Sequence, residues 1–304
     1  FLLPQGDDGE EGAMSVKDFT AFHSRLRLMG ALRLKTALRI GAGRAGGAAE
    51  IDLPALKDVM GRPYIPGSSF KGALRAHLER LLRGLQERLE GVDNLACLSI
   101  SKPEGEGNYE GCLTARMVQD LKVQEKYVED PQALDDLLWE RSCWVCRLFG
   151  APWLASKVWI RDLLVIEDSW LGRYLRRDGV AIDRDTGTAG QRLKYDFEAV
   201  PAGVAFDFEL VADNASEAEQ GLLLLGLRDF ERGRVAIGSS RSRGLGWVQL
   251  DVDWNRSEYV DGDSLLDYLL GTVDEARLRV LSDAAVREER LKTFLREAGV
   301  KSDA

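Results

Sequence analysis

Between His23 and Ile40 the chain alternates: Leu26, Leu28, Gly30, Leu32 and Leu34 fall on one side, Arg25, Arg27, Met29, Ala31, Arg33 and Lys35 on the other. Side chains along a strand point to opposite faces with a period of two, so this spacing predicts one long strand with an apolar inner face and a basic outer face. A helix must then cover the inner face. Leu74, Leu78, Leu81, Leu82, Leu85 and Leu89 recur at helical spacing behind Ser68 and Ser69 as candidate N-caps, predicting a helix of about six turns.

The rest of the order follows from similar signals. Leu56 to Tyr64 reads as a short hairpin turning at Met60-Gly61-Arg62, and Lys157 to Glu167 as a strand. Residues 91–150 form an insertion with a helix expected over Pro131 to Arg141. Trp170 to Tyr195, basic and rich in Gly and Thr, reads as a protruding hairpin or loop. Tyr195 to Val211 is a strand pair turning at Pro201-Ala-Gly203, and Ser216 to Arg232 is a second helix. Val235 to Ile237 and Trp247 to Trp254 are strands flanking a glycine-rich loop, and the tail from Asp263 is helical and charged. Strand, helix, two strands, helix, strand is an α+β, ferredoxin-like βαββαβ order with large insertions, the topology also of RNA-recognition-motif domains. Residues 1–20 read as a disordered acidic leader, residues 21–255 as the ferredoxin-like domain and residues 256–304 as its helical tail.

Charge narrows the partner. The net charge of −9 argues against a general nucleic-acid coat. Its distribution does not: six basic residues and no acid lie between His23 and Arg44, six against three acids between Trp170 and Tyr195, and three arginines and no acid between Arg234 and Trp247. These are basic tracks on an acidic body, or else solvated faces. No apolar run is long enough to span a bilayer, so a cytoplasmic protein with no membrane partner is expected.

Two loops suit phosphate. Pro66-Gly-Ser-Ser-Phe-Lys-Gly72 offers backbone N–H groups at a helix start, two hydroxyls and Lys71 one turn in. Gly238-Ser-Ser-Arg-Ser-Arg-Gly-Leu-Gly246 sets serines and arginines among glycines that permit close main-chain approach. Asp52, after the glycine-rich stretch from Gly41, could orient or deprotonate a ribose 2′-hydroxyl for in-line attack on its own phosphate, alone or with a divalent cation; equally, it could cap a turn before Pro54. Four cysteines, Cys97, Cys112, Cys143 and Cys146, fall in the insertion, a number that suits a tetrahedral structural zinc; buried thiols in a reducing compartment, or His77 replacing one cysteine, are the alternatives. His23 and His77 are the only histidines, and neither lies in a phosphate-gripping motif.

Taken together, the Ile51-Asp-Leu-Pro…Arg62-Pro-Tyr-Ile-Pro-Gly-Ser-Ser-Phe-Lys-Gly-Ala-Leu-Arg75 segment, Cys143-Trp-Val-Cys-Arg-Leu-Phe-Gly150, Asp178-Gly-Val-Ala-Ile-Asp-Arg-Asp-Thr-Gly-Thr188 and the Gly238–Gly246 loop resemble the RAMP-superfamily backbone subunits of type III CRISPR effector complexes, the filament-forming Csm and Cmr proteins. The resemblance spans roughly residues 22 to 255. It implies a subunit that stacks along a guide CRISPR RNA, grips its backbone, and leaves bases free to pair with target RNA, alongside other RAMP subunits and the large and small subunits of the complex. It further implies a β-hairpin thumb near Trp170–Tyr195, and Asp52 as the catalytic carboxylate of an endoribonuclease cutting target RNA with Mg²⁺ or another divalent cation. The RNA-contacting set it implies is Arg44, Ser68, Ser69, Lys71, Arg75, Arg184, Arg241, Ser242 and Arg243. A zinc-binding insertion occurs in some members. Where many members carry a histidine or a Gly-Gly-Ser-Asp-like run after the first strand, this chain has Arg39-Ile-Gly-Ala-Gly-Arg44. A non-cleaving structural or capping subunit, and a guide-processing endoribonuclease, are the competing expectations.

Overall fold

The computed structural model describes residues 19–41, 52–97, 112–182, 185 and 188–300. Arg44, Arg184 and the expected acidic leader up to residue 18 lie outside them. The strands are β1 (Ser24–Leu34), β2 (Tyr64–Ile65), β3 (Val158–Ile160), β4 (Leu163–Leu164), β5 (Leu175–Ile182), β6 (Ala189–Ala199), β7 (Ala205–Asp213), β8 (Val235–Ala236), β9 (Trp247–Val252) and β10 (Glu258–Asp261). The helices are α1 (Gly67–Gln86), α2 (Ala115–Lys122), α3 (Glu125–Glu129), α4 (Pro131–Glu140), α5 (Trp144–Phe149), α6 (Glu217–Glu231), α7 (Leu265–Leu270), α8 (Glu275–Leu278) and α9 (Ala284–Glu297).

The main sheet is antiparallel in the order β3-β7-β1-β9-β8, with β10 pairing the free end of β1. Counting β1, β3, β7 and β9 as the four strands of a βαββαβ unit, with α1 and α6 as its helices, the spatial order is second, third, first, fourth: the ferredoxin-like α+β arrangement. As the alternation requires, Leu26, Leu28, Leu32 and Leu34 of β1 are buried. The two helices close the same face, where Phe70 of α1 packs against Phe208 of β7 at 5.3 Å and Phe230 of α6 at 4.9 Å between ring centroids. Helix α9 lies against α6 so closely that a Cβ on Gly221 would meet Arg290 O at 2.0 Å.

Five local expectations are corrected. The tail expected to be helical from residue 256 opens with β10, which joins the sheet beside β1. The strand expected over Lys157 to Glu167 is broken into β3, paired with β7, and β4, paired with β2. The first strand ends at Leu34 rather than Ile40: the chain bends at Lys35 and Thr36, whose amides both donate to Trp247 O, and rejoins Val200 at Leu38. Its outer face is not a basic track. Strand register sets Asp213 opposite Arg25, which it takes in two 2.7 Å hydrogen bonds, while Arg27 reaches Glu209 at 2.8 Å and Glu258 at 3.5 Å. Helix α1 starts at Gly67 with Pro66 as N-cap, and neither Ser68 nor Ser69 caps it; Asp162 instead accepts from the Gly67 amide at 2.9 Å. No alternative residue fits at 67, since a Cβ there would meet Ile160 O at 2.0 Å.

Other elements follow the sequence closely. Ser216 and Glu219 form a reciprocal capping box at the start of α6. The turn after Asp58 forms around Gly61, at φ +76°. Among the described residues no helix is long and apolar enough to cross a membrane.

Candidate RNA-binding and cleavage site

The loop carrying Asp52 is stitched along the edge of β6. Leu53 bridges Phe197, its carbonyl accepts from the Glu198 amide at 3.1 Å, and the Glu198 carboxylate takes the Ala55 amide at 3.1 Å and Lys57 Nζ at 2.7 Å. At the head of this seam, Asp52 N donates to Asp196 Oδ1 at 2.9 Å and Asp196 N donates to Asp52 Oδ2 at 3.0 Å. The Asp52 amide holds the Asp196 carboxyl below the usual carboxylate range, and the paired Arg176 guanidinium adds to the effect. Asp52 itself is exposed.

The hairpin in the segment expected to form a thumb is β5 with β6, in the register Arg177 to Phe197 and Gly179 to Tyr195. Gly179 leaves room for the Tyr195 ring, which would lie 2.3 Å from a Cβ there. The Tyr195 hydroxyl in turn accepts from Arg243 Nη1 at 2.6 Å, so the glycine-rich loop leans on the thumb. Beneath both, Ala37, Phe197, Ala199 and Leu245 form a small separate core, with Leu53 and Tyr195 packed at its margin. Arg39 stacks over the Phe197 ring at 5.1 Å. The loop itself is tightly tied: Ser239 N donates to Arg39 O at 2.9 Å, and a Cβ on Gly246 would meet Ile237 O at 2.0 Å. Arg241, Ser242 and Arg243 are left exposed at its tip.

The helix-start residues divide. Ser68 is exposed and Ser69 half-buried. Lys71 turns inward and donates to Ser156 Oγ at 2.6 Å and Val158 O at 2.7 Å; burial, then the nearby Arg75 charge, lowers its pKa. The carboxylate of Asp162 already occupies the N-terminal amide at Gly67, where the sequence suggested an anion from outside. Arg75 likewise faces inward, toward the cysteines.

Further along the same edge a notch of about 380 Å³ is lined by His77 and Arg80 of α1, by Arg234, by Arg241 of the glycine-rich loop and by Trp247 just after it. Arg80, Arg234 and Trp247 were not singled out from the sequence; the three-arginine, no-acid stretch from Arg234 to Trp247 was the available signal. His77 is 5% exposed, hydrogen-bonded to Asp229 at 3.0 Å and to Arg80 at 3.1 Å. Burial lowers its pKa, against the opposing pull of Asp229.

The four cysteines converge although Cys97 and Cys143 are far apart in sequence. All four sulfurs lie within 4.8 Å of one another and all four residues are buried. Sulfur–sulfur distances are 3.6 Å for Cys97–Cys146, 3.6 Å for Cys112–Cys146 and 3.8 Å for Cys112–Cys143. Four thiolates at about 2.3 Å from a tetrahedral ion stand about 3.8 Å apart, so the donor set and spacing fit such an ion. The hydrogen bond with Cys143, and then that with Cys146, lowers the pKa of Cys112. His77, engaged by Asp229 and Arg80, is not among these ligand residues.

Comparison with known proteins gives two findings. The model of the RAMP superfamily matches residues 31–249. A protein of Methanocaldococcus jannaschii named CRISPR system Cms endoribonuclease Csm3 is 26% identical over 255 residues, covering 78% of this chain and 84% of that protein.

Proposed function

We propose that this chain, which belongs to the RAMP superfamily, is a backbone subunit of a type III CRISPR effector complex that binds guide RNA and cleaves complementary target RNA at regular intervals. The observation that carries the reading is a junction: Arg243 and Asp52 are held by consecutive residues of one thumb strand, Tyr195 and Asp196. A phosphate-gripping loop and an exposed carboxylate are thereby fixed to the same hairpin.

In this reading Arg241, Ser242 and Arg243, with Ser68 and Ser69, hold guide phosphates by charge and hydrogen bonds that carry no base information. The notch around Arg80, Arg234 and Trp247 extends that surface. Asp52 takes the proton of the target ribose 2′-hydroxyl as its oxygen attacks the adjacent phosphorus in line, forming a 2′,3′-cyclic phosphate while the bond to the next nucleotide's 5′-oxygen breaks and that oxygen takes a proton from water. Among the described residues Asp52 belongs to no cluster of three metal-donor side chains. A divalent cation, if bound there, would be held by Asp52 and would stabilise charge developing on the scissile phosphate. The four cysteines hold a structural zinc that fastens the insertion. The other subunits of such a complex are the partners.

A guide-processing endoribonuclease is the weaker reading, because His77 is buried and engaged by Asp229 and Arg80. The two are separated by metal dependence. In the assembled complex, guide-complementary RNA should be cut at even spacing with Mg²⁺ and left intact in EDTA; metal-independent cutting of the guide precursor would overturn the proposal.

A further inference from the structure

Arg75 is the side chain whose placement departs furthest from its expected role. One turn of α1 sets Glu79, itself buried, against it, and Arg75 Nε donates to Glu79 Oε1 at 2.8 Å. Nη1 donates to Gly150 O at 2.8 Å, at the end of α5. The remaining nitrogen, Nη2, donates to Cys146 Sγ at 3.4 Å. A planar guanidinium engaged at three of its nitrogens has one orientation, and no simpler cation could reproduce it. Two turns on, Arg83 donates to Cys97 O at 3.3 Å, so α1 holds both ends of the cysteine set.

Cys146 is also the hub of the cluster, within 3.6 Å of both Cys97 and Cys112. Four thiolates around a divalent ion leave a net charge of −2, and burying that charge is costly unless a cation or hydrogen-bond donors offset it. Arg75 supplies both at the central sulfur.

We propose that Arg75 is a positioning residue of the four-cysteine metal site: clamped by Glu79 and Gly150, it orients and neutralises the Cys146 thiolate, so that metal binding locks α5 of the insertion onto α1. This rests on the metal reading of the cysteines given above, and it removes Arg75 from the RNA-contacting set. The consequence is mechanical. The helix that carries Ser68 and Ser69 in its first turn is also the helix to which the metal site is fastened, so the insertion braces the guide-binding edge from behind.

The test uses the full chain, wild type and Arg75→Met, with zinc affinity measured by competition against a chromophoric chelator, thiolate-to-cobalt absorption in the Co²⁺-loaded protein, and guide-RNA affinity measured separately. Arg75→Met should weaken zinc about 10- to 100-fold and shift the cobalt band, while guide-RNA affinity of the zinc-saturated protein stays unchanged. Arg75→Lys, which keeps the charge but not the fork, should recover only part of the affinity. Should Arg75→Met fold poorly, Glu79→Gln loosens the clamp with the guanidinium in place and should weaken zinc in the same direction by a smaller factor. Unchanged zinc affinity with reduced guide-RNA affinity would overturn the proposal and return Arg75 to the phosphate contacts. A wild-type chain that takes up neither ion would overturn the metal reading itself.

Discussion

Asp52 and Asp196 hold each other by two reciprocal hydrogen bonds, each backbone amide donating to the other's carboxylate, at 2.9 Å and 3.0 Å. Two acids meet without repulsion dominating because each carboxylate faces an N–H dipole and Arg176 pairs with Asp196. The catalytic candidate is thus oriented by Asp196 of β6.

Asp196→Ala should therefore impair target cleavage without touching the guide contacts. Losing the acceptor for the Asp52 amide lets the Asp52 loop drift, and a displacement of about 1 Å can cost on the order of 10²-fold in rate. Single-turnover cleavage and guide-RNA affinity, measured on the same preparation, check this; the first should fall and the second should not.

Guide binding should depend on salt through the glycine-rich loop. Arg241 and Arg243 are exposed at its tip, and removing one arginine–phosphate pair should reduce the slope of log affinity against log salt by about 1. Arg241→Gln and Arg243→Gln, titrated against RNAs of different sequence, should weaken all of them alike.

His77 gives the fold a pH dependence of defined sign. Its folded pKa lies below the ordinary value of 6.5, chiefly through burial, so the unfolded chain binds the proton more readily. That contribution to stability is fully present above about pH 6.5 and is lost as pH falls from there toward the folded pKa. Thermal unfolding followed between about pH 7 and pH 5 should show Tm falling more steeply for wild type than for His77→Gln.

Two glycines of one helix should behave oppositely. A Cβ at Gly67 would meet Ile160 O at 2.0 Å, whereas one at Gly72 meets nothing within 4 Å. Gly67→Ala should destabilise by about 1–3 kcal/mol or more, since backbone must move. Gly72→Ala should stabilise by about 0.5–1 kcal/mol through helix propensity. Denaturant unfolding of both variants measures the difference.

What could be read from the sequence was what is local or periodic. Alternation gave the inner face of β1, helical spacing gave α1, and the flanking strand signals left a hairpin or a loop for the segment that forms β5 and the start of β6. Cys143-x-x-Cys146 pointed to a thiol site, yet its closure by Cys97 and Cys112 depends on how the insertion folds back. The misses are of one kind, in which a partner distant in sequence takes up a group that looked free. Asp162 reaches Gly67 from 95 positions away, and Asp213 and Glu209 neutralise Arg25 and Arg27 through strand register. That Lys71 and Arg75 turn inward was not legible, because helix spacing alone does not say which side of α1 meets β3 and α5. Asp52 was visible as a carboxylate beside a proline; that Asp196 would orient it was not.

The most direct measurement is cleavage of a guide-complementary RNA by the assembled complex with Mg²⁺, comparing wild type with Asp52→Ala at matched target affinity. The account predicts that the evenly spaced cuts disappear while target binding is retained. Unchanged cutting by Asp52→Ala would contradict it, making this chain a structural backbone subunit and placing the nuclease elsewhere in the complex.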